Sequence, residues 1–502
     1  MKIVASIWSL AIAALMTAST ILSVTVAAEA EALVNGPIAG MPSLGLGQFD
    51  LAPLGYVAQE FFMSSTATAY RHVGELGQDG RWSAEAQGTA PFTTRVVVVR
   101  PVDPAKFNGS VFVEWLNVSG GLDAPPDWLA GHRELIRDGY AYVGVSVQKV
   151  GIDGGQSMSL GALPLKKANP ERYASLDHPG DAYAFDIFSQ AGQAVRSSAA
   201  GGLLGPLEAK RVLAVGESQS AVFLTTYVNA IDPLAKVFDG FLIHSRFGSG
   251  APVEGTSIMA ADQSVMPQGA RLREDLRVPV ITLITETDLV GGRLGGFFGA
   301  RQPDSGKLRI WEIPGTAHAD TYTFNVANID SGSASISALA AAFAPSDKMF
   351  GMKLLKPVNS APQHHYVVCA ALRSLDLWVA KGAAPAKAQR MRATAGDKPG
   401  DPPALVADAN GNTMGGIRTP WVDVPIARLS GVGNGGGPLG FLVGVTEPFD
   451  QATLTRLYPG GKTEYLQRFG QSLDASIRSG FILAADRSEI LALAEASYPD
   501  SK

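Results

Sequence analysis

The chain has 502 residues, 46% hydrophobic and 17% charged, and its 41 Lys and Arg stand against 46 Asp and Glu for a net charge of −5. This balance excludes a disordered, collagen-like or coiled-coil chain, and with no basic run to track a phosphate backbone it implies no nucleic-acid partner. The single cysteine, Cys369, excludes a disulfide framework and a multi-thiolate metal site; it sits in VVCAALRSLDLWVA, an apolar stripe of helical spacing, and reads as a small buried hydrophobe.

Residues 1–28 open the chain with one lysine, an apolar stretch and the small residues Val26 and Ala28, the layout of a secretory signal peptide. The expectation is an exported protein, periplasmic or secreted. No later apolar run approaches the ~18 residues a spanning helix needs, so no stable membrane span is expected in the mature form.

Extended stretches follow at 61–73, 93–102, 110–118 and 141–150, rich in β-branched and aromatic residues and bounded by Gly, Asp and Pro. Residues 181–199 carry apolar positions at helical spacing. Strand 211–216, helix 220–231, strands 237–245, 278–286 and 308–315, and the helix holding Cys369 complete the series. Short early connections followed by alternating strands and helices describe an α/β chain with a mixed sheet, parallel in its later part and covered on both faces. The expected organisation is one catalytic domain over 33–385, a cap or lid candidate at 246–277, and an extension at 386–502. That extension is loop-rich to about 440, then helical, and packs on the domain.

Chemistry concentrates at three strand ends. RVLAVGESQSA is an apolar strand, a Gly216-Glu217-Ser218-Gln219-Ser220 turn and a helix, the context of a nucleophile elbow, with Ser220 where the common pattern has glycine. A serine hydroxyl needs a base to take its proton, and that base needs a carboxylate to orient it. The chain order serine, acid, histidine is met by Ser218, the carboxylates of TETDL and His318 in GTAHAD. Asp288 is the favoured acid. Glu286 stays an alternative, because it points to the same side if the strand continues that far. The oxyanion hole takes the N–H of Gln219 and a second N–H from the Asn117-Val118-Ser119-Gly120-Gly121 loop, with Val118 leading and Asn117 and Ser119 as alternatives.

The remaining histidines have simpler roles. His72, His132 and His244 read as structural or surface residues and His178 as a turn residue. His364 and His365 point about 100° apart on a helix, so no metal site is expected. Asp320 reads as a loop cap. Phe297, Phe298, Trp115 and Trp128 are candidates for apolar pocket lining that more often serve as core.

Taken together, VEWLNVSGG, LDHPGDAYAFDIFSQAG, GESQSA, TETDL, GTAHAD, PFDQATLTRLYP and GFILAAD resemble the α/β-hydrolase superfamily, and within it a long, exported bacterial branch of alpha/beta hydrolase domain proteins. The resemblance implies the α/β-hydrolase fold, a mostly parallel sheet flanked by helices. It implies a serine hydrolase with Ser218 as nucleophile, His318 as base and an acid in TETDL. The expected reaction is cleavage of a small-molecule or polymer carboxylic ester through an acyl-enzyme, with no cofactor. An amidase or peptidase would use the same residues, and a non-catalytic binding protein on this scaffold is the reading from a different class.

Overall fold

The structure is a computed structural model that describes residues 31–158, 161–197, 202–255, 266–291, 295–349, 351–398, 401–436 and 439–499. The expected signal peptide and residues 256–265, the middle of the cap candidate, lie outside the described residues. Residues from Ala32 onward form one compact unit.

A nine-stranded sheet organises that unit. Its strands are β1 (Leu33–Asn35), β2 (Tyr56–Val73), β3 (Ser83–Pro101), β4 (Ser110–Trp115), β5 (Ala141–Val145), β6 (Arg211–Glu217), β7 (Gly240–His244), β8 (Val280–Ile284) and β9 (Leu308–Glu312). They lie in the order β1-β2-β3-β5-β4-β6-β7-β8-β9. β1, β2 and β3 pair antiparallel, β3 meets β5 antiparallel, and every pair from β5 to β9 is parallel.

Alternation of side chains sorts the sheet into two cores. Val96, Val98, Val111, Val113 and Trp115 face one core with the helices Ala184–Arg196 and Gln219–Thr226. Val97, Val99, Phe112, Leu213, Leu242 and Trp311 face the other with the helices Pro126–Arg137 and Gln363–Lys381. β4, β5, β7, β8 and β9 are buried along their whole length, as a sheet covered on both faces requires. A third core joins Tyr322, Val326 and Phe343 to Phe469, Leu473, Ile490 and Leu493 of the late helices Gly461–Arg478 and Arg487–Ser497. Among the described residues no helix is long and apolar enough to cross a membrane.

Three boundaries depart from the sequence expectation. β2 and β3 form one long hairpin, so that the largely exposed, glycine- and proline-bearing residues 83–91 pair with 66–73 because their partner strand continues, not because of their own propensity. β5 stops at Val145 and the chain turns into the short helix Lys149–Asp153. β8 stops at Ile284, because Thr285 and Asp288 form a reciprocal capping box that starts the helix Glu286–Val290. The condition under which Glu286 and Asp288 would share a side, a continuing strand, is therefore not met.

β4 has β5 on one side and β6 on the other, so the chain reverses its direction of winding between these strands. The loops leaving β4 and β6 diverge there, and in an open α/β sheet the carboxyl ends of the strands at such a point are the usual place for a ligand.

Candidate active site

Ser218 sits between β6 and the helix Gln219–Thr226 with φ 61° and ψ −119°, a conformation that side-chain-bearing residues rarely adopt. Its N–H donates to His244 O at 2.9 Å, tying the turn to β7. A Cβ on Gly216 would stand 2.9 Å from Leu224 Cδ1 and 3.1 Å from Ser220 Cβ, so a side chain there would press on the helix that follows the turn. Ser220 is accommodated at the last elbow position, fully buried, with its hydroxyl unpaired.

The structure brings Ser218, His318 and Asp288 together. His318 Nδ1 lies 2.6 Å from Asp288 Oδ1, and Nε2 lies 2.7 Å from Ser218 Oγ. A carboxylate only accepts, so Nδ1 carries the proton and Nε2 accepts from the serine hydroxyl. Asp288 Oδ2 accepts from both the N–H and the hydroxyl of Thr285, at 2.8 and 2.7 Å. Burial pushes the Asp288 carboxyl up, but His318 and the Thr285 donors outweigh it and hold the group below its ordinary value. The Phe247 ring stacks on His318 with centroids 5.1 Å apart, and the His318 N–H donates to Thr287 Oγ1 at 3.1 Å. Ser218 and His318 are buried, at 9% and 6% exposure.

Glu286 lies elsewhere. Its carboxylate accepts from Gly315 N–H at 2.6 Å, Gly431 N–H at 2.8 Å and Ser430 Oγ at 3.0 Å. It pins the loop leading to His318 against the C-terminal region. Asn359 reinforces this clamp, donating from Nδ2 to Gly315 O and Ser430 O.

The oxyanion candidates are not equivalent. Asn117 N–H is taken by Ala124 O at 2.9 Å and Ser119 N–H by Asn117 Oδ1 at 2.8 Å. Val118 N–H meets the side-chain Oε1 of Gln219 at 3.3 Å, the longest of the three. Gln219 N–H opens a helix, where no intrahelical acceptor exists.

The other candidates resolve into structural roles. Trp115 Nε1 donates to Gln148 Oε1, Trp128 Nε1 to Leu46 O, and Phe297 and Phe298 lie under the guanidinium groups of Arg246 and Arg301. His132, His178 and His365 bond to the backbone carbonyls of Asp330, Val147 and Ala130, and half-exposed His72 pairs with Glu254. Asp320 Oδ1 accepts from Thr323 N–H at 3.0 Å, a loop cap. Burial pushes the Cys369 thiol well up. Among the described residues no group of three or more His, Cys, Asp or Glu is arranged to hold a metal ion.

Two features carry no signal in the sequence. His244 Nε2 faces His364 Nε2 at 2.8 Å, with Asp127 Oδ1 at 2.9 Å from His244 Nδ1, a buried chain assembled from β7 and two helices. Glu217, noticed only as part of the elbow, places Oε1 3.4 Å from His318 Nε2. An apolar cavity of about 340 Å³ lies apart from all of this, lined by Phe343, Ala361, Trp421, Ile426, Tyr465 and Leu493.

A mostly parallel sheet with a serine elbow at its switch point defines a hydrolase of the α/β type. The chain belongs to the alpha/beta hydrolase domain family, whose profile matches residues 24–492. Solved structures that it resembles include an α/β serine hydrolase without lid from Xanthomonas campestris (12% identity, 50% of this chain and 86% of that one, TM-score 0.28). A thermostable esterase from Pseudomonas putida (15%, 48% and 66%, TM-score 0.25) and acetyl xylan esterase 1 from Thermoanaerobacterium (12%, 49% and 81%, TM-score 0.26) are similar at the same level. No curated protein matches the chain. At these TM-scores the family match, not any one neighbour, carries the assignment.

Proposed function

We propose that the protein is a serine hydrolase of carboxylic esters, with Ser218 as nucleophile, His318 as general base and Asp288 as the acid that orients it. The observation that carries this reading is the unbroken hydrogen-bond chain from Asp288 Oδ1 through the His318 ring to Ser218 Oγ. Ser218 Oγ attacks the ester carbonyl carbon while its proton passes to His318 Nε2, and Asp288 stabilises the imidazolium that forms. The carbonyl oxygen, now an oxyanion, is held by Gln219 N–H and Val118 N–H. At Val118 it must displace Gln219 Oε1, whose 3.3 Å contact is the weakest in that loop. Collapse breaks the bond to the alkoxide, which takes the Nε2 proton. Water activated by the same nitrogen then releases the acid. The leader-like residues 1–28 support export of the enzyme.

Ser218→Ala tests the reading. It is expected to abolish p-nitrophenyl butyrate cleavage and fluorophosphonate labelling with an unchanged melting temperature. Undiminished turnover in that variant overturns the nucleophile assignment.

A further inference from the structure

The third core is not filled to its edge. A cavity of about 340 Å³ lies where the chain before residue 385 meets the extension: Phe343 and Ala361 come from the first, Trp421, Ile426, Tyr465 and Leu493 from the second. Protein cores leave few voids larger than a water molecule, and this one is walled by aromatic side chains. Its rim is formed by Ala344, Pro345, Ala496, Ser497 and Pro499, all of them exposed, so it opens to solvent between the ends of the helices Ile336–Ala342 and Arg487–Ser497. None of Ser218, Asp288 and His318 lines it.

Two properties of the wall select an occupant. Among the described residues no Asp, Glu, Lys, Arg or His lines the cavity, so an ion entering it would lose its water without gaining an opposite charge. The other property is an unmet hydroxyl. Buried tyrosines ordinarily find a partner for the O–H. In this core Tyr322, Tyr366 and Tyr458 donate to Asp330 Oδ2, Glu489 Oε1 and Pro425 O at 3.1, 2.8 and 2.8 Å. Tyr465, 1% exposed and part of the cavity wall, has no hydrogen-bond partner among the described residues. Burial pushes its phenol up, so it stays a neutral donor. Ser360 and Thr446, also in the wall, already bond each other through their hydroxyls at 3.2 Å.

We propose that this cavity is a second binding site, separate from the catalytic centre, for an uncharged and mainly hydrocarbon molecule that carries one hydroxyl or carbonyl oxygen. A cavity of about 150 Å³ holds one benzene ring, so this one has room for two fused rings or a chain of comparable bulk. The oxygen pairs with the Tyr465 hydroxyl, and the hydrocarbon packs against Phe343, Trp421 and Leu493. Because the walls come from both sides of residue 385, the occupant is held by the domain and the extension at once and opposes their separation. The clamp on the His318 loop is next to these walls in the chain: Asn359 precedes Ser360 and Ala361, and Ser430 follows Leu429. Binding here does not depend on how Ser218 reacts.

The probe is β-naphthol, an uncharged two-ring molecule with one hydroxyl. Titration calorimetry on the whole protein should give one saturable site, and naphthoate, the same rings bearing a carboxylate, should bind at least about 10-fold more weakly. Equal affinity for the two, or no saturable binding of β-naphthol, overturns the proposal. Tyr465→Phe should weaken β-naphthol about 5-fold and leave naphthalene as it binds to the wild type. Unchanged β-naphthol affinity in that variant overturns the part given to the hydroxyl. Ala494→Phe puts a ring into the cavity from the helix Arg487–Ser497 and should abolish binding of both molecules. If it binds β-naphthol as the wild type does, the site is elsewhere and the proposal falls. One measurement needs no variant: in wild-type crystals soaked with a bromo-β-naphthol, the anomalous bromine peak should lie among Phe343, Trp421 and Leu493. A peak only beside Ser218 places the ligand at the catalytic centre and overturns the second site.

Discussion

The carboxyl edge of the parallel sheet and the region beyond residue 385 contribute to the same site in different currencies of structure. The sheet edge supplies side chains: Ser218 after β6, Asp288 after β8 and His318 after β9. The later region supplies supports, the backbone of Gly431 and the hydroxyl of Ser430. Gly431 donates its N–H to Glu286 and accepts from Thr287 Oγ1, Thr287 in turn accepts from the His318 N–H, and Ser430 donates to Glu286. Reactive groups need only a few residues of local pattern to be held at a strand end. Fixing the loops that carry them to a fraction of an ångström falls to chain segments far away in sequence.

This division can be broken at several points. At the sheet edge, Asp288→Asn should lower kcat about 10,000-fold by favouring the wrong imidazole tautomer, with binding little changed. In the extension, Phe469 is fully buried in the third core, so Phe469→Ala should cost about 3–5 kcal/mol of stability by denaturant titration while the folded fraction keeps its kcat. At the seam, a Cβ on Gly431 would meet Thr316 O at 2.2 Å and Glu286 Cβ at 2.6 Å. Gly431→Ala should therefore lower kcat/KM about 100-fold through displacement of the His318 loop, although it touches no reacting atom. Glu286→Gln turns a donor toward N–H groups that need acceptors. It should cost about 1–3 kcal/mol and shift the melting temperature more than the pH profile. The smallest effect is that of acid. Because the folded Asp288 carboxyl titrates below its ordinary value of 3.8, its stabilisation is complete above the unfolded value and is lost as pH falls through the folded one. The stability gap between wild type and Asp288→Asn should accordingly narrow below about pH 4.

The parts of the geometry that could be read from sequence are those where one short stretch carries both the strand and the candidate residue at its end. Ser218, with an apolar strand before it and an apolar helix after it, is such a case, and so is His318 in its glycine-bearing loop. The choice between Glu286 and Asp288 turned on where β8 ends. Thr285 followed three residues later by Asp288 is a capping-box pattern, and it would have placed a helix start there. No local pattern could have found the His244–His364 pair, whose members are 120 residues apart, or the aim of Glu217 toward His318. The first half of β3 was hidden for a similar reason, since its pairing is decided by β2.

The clamp on Glu286 also sets an order of events in time. Ser218, Asp288 and His318 are all synthesised before Asn359, Ser430 and Gly431, yet the loop holding His318 is anchored by those later residues. A growing chain therefore contains Ser218, Asp288 and His318 well before it contains the residues that anchor the His318 loop. A proteolytic cut ahead of Ser430 would separate the clamp from the loops it holds while leaving those three residues in place.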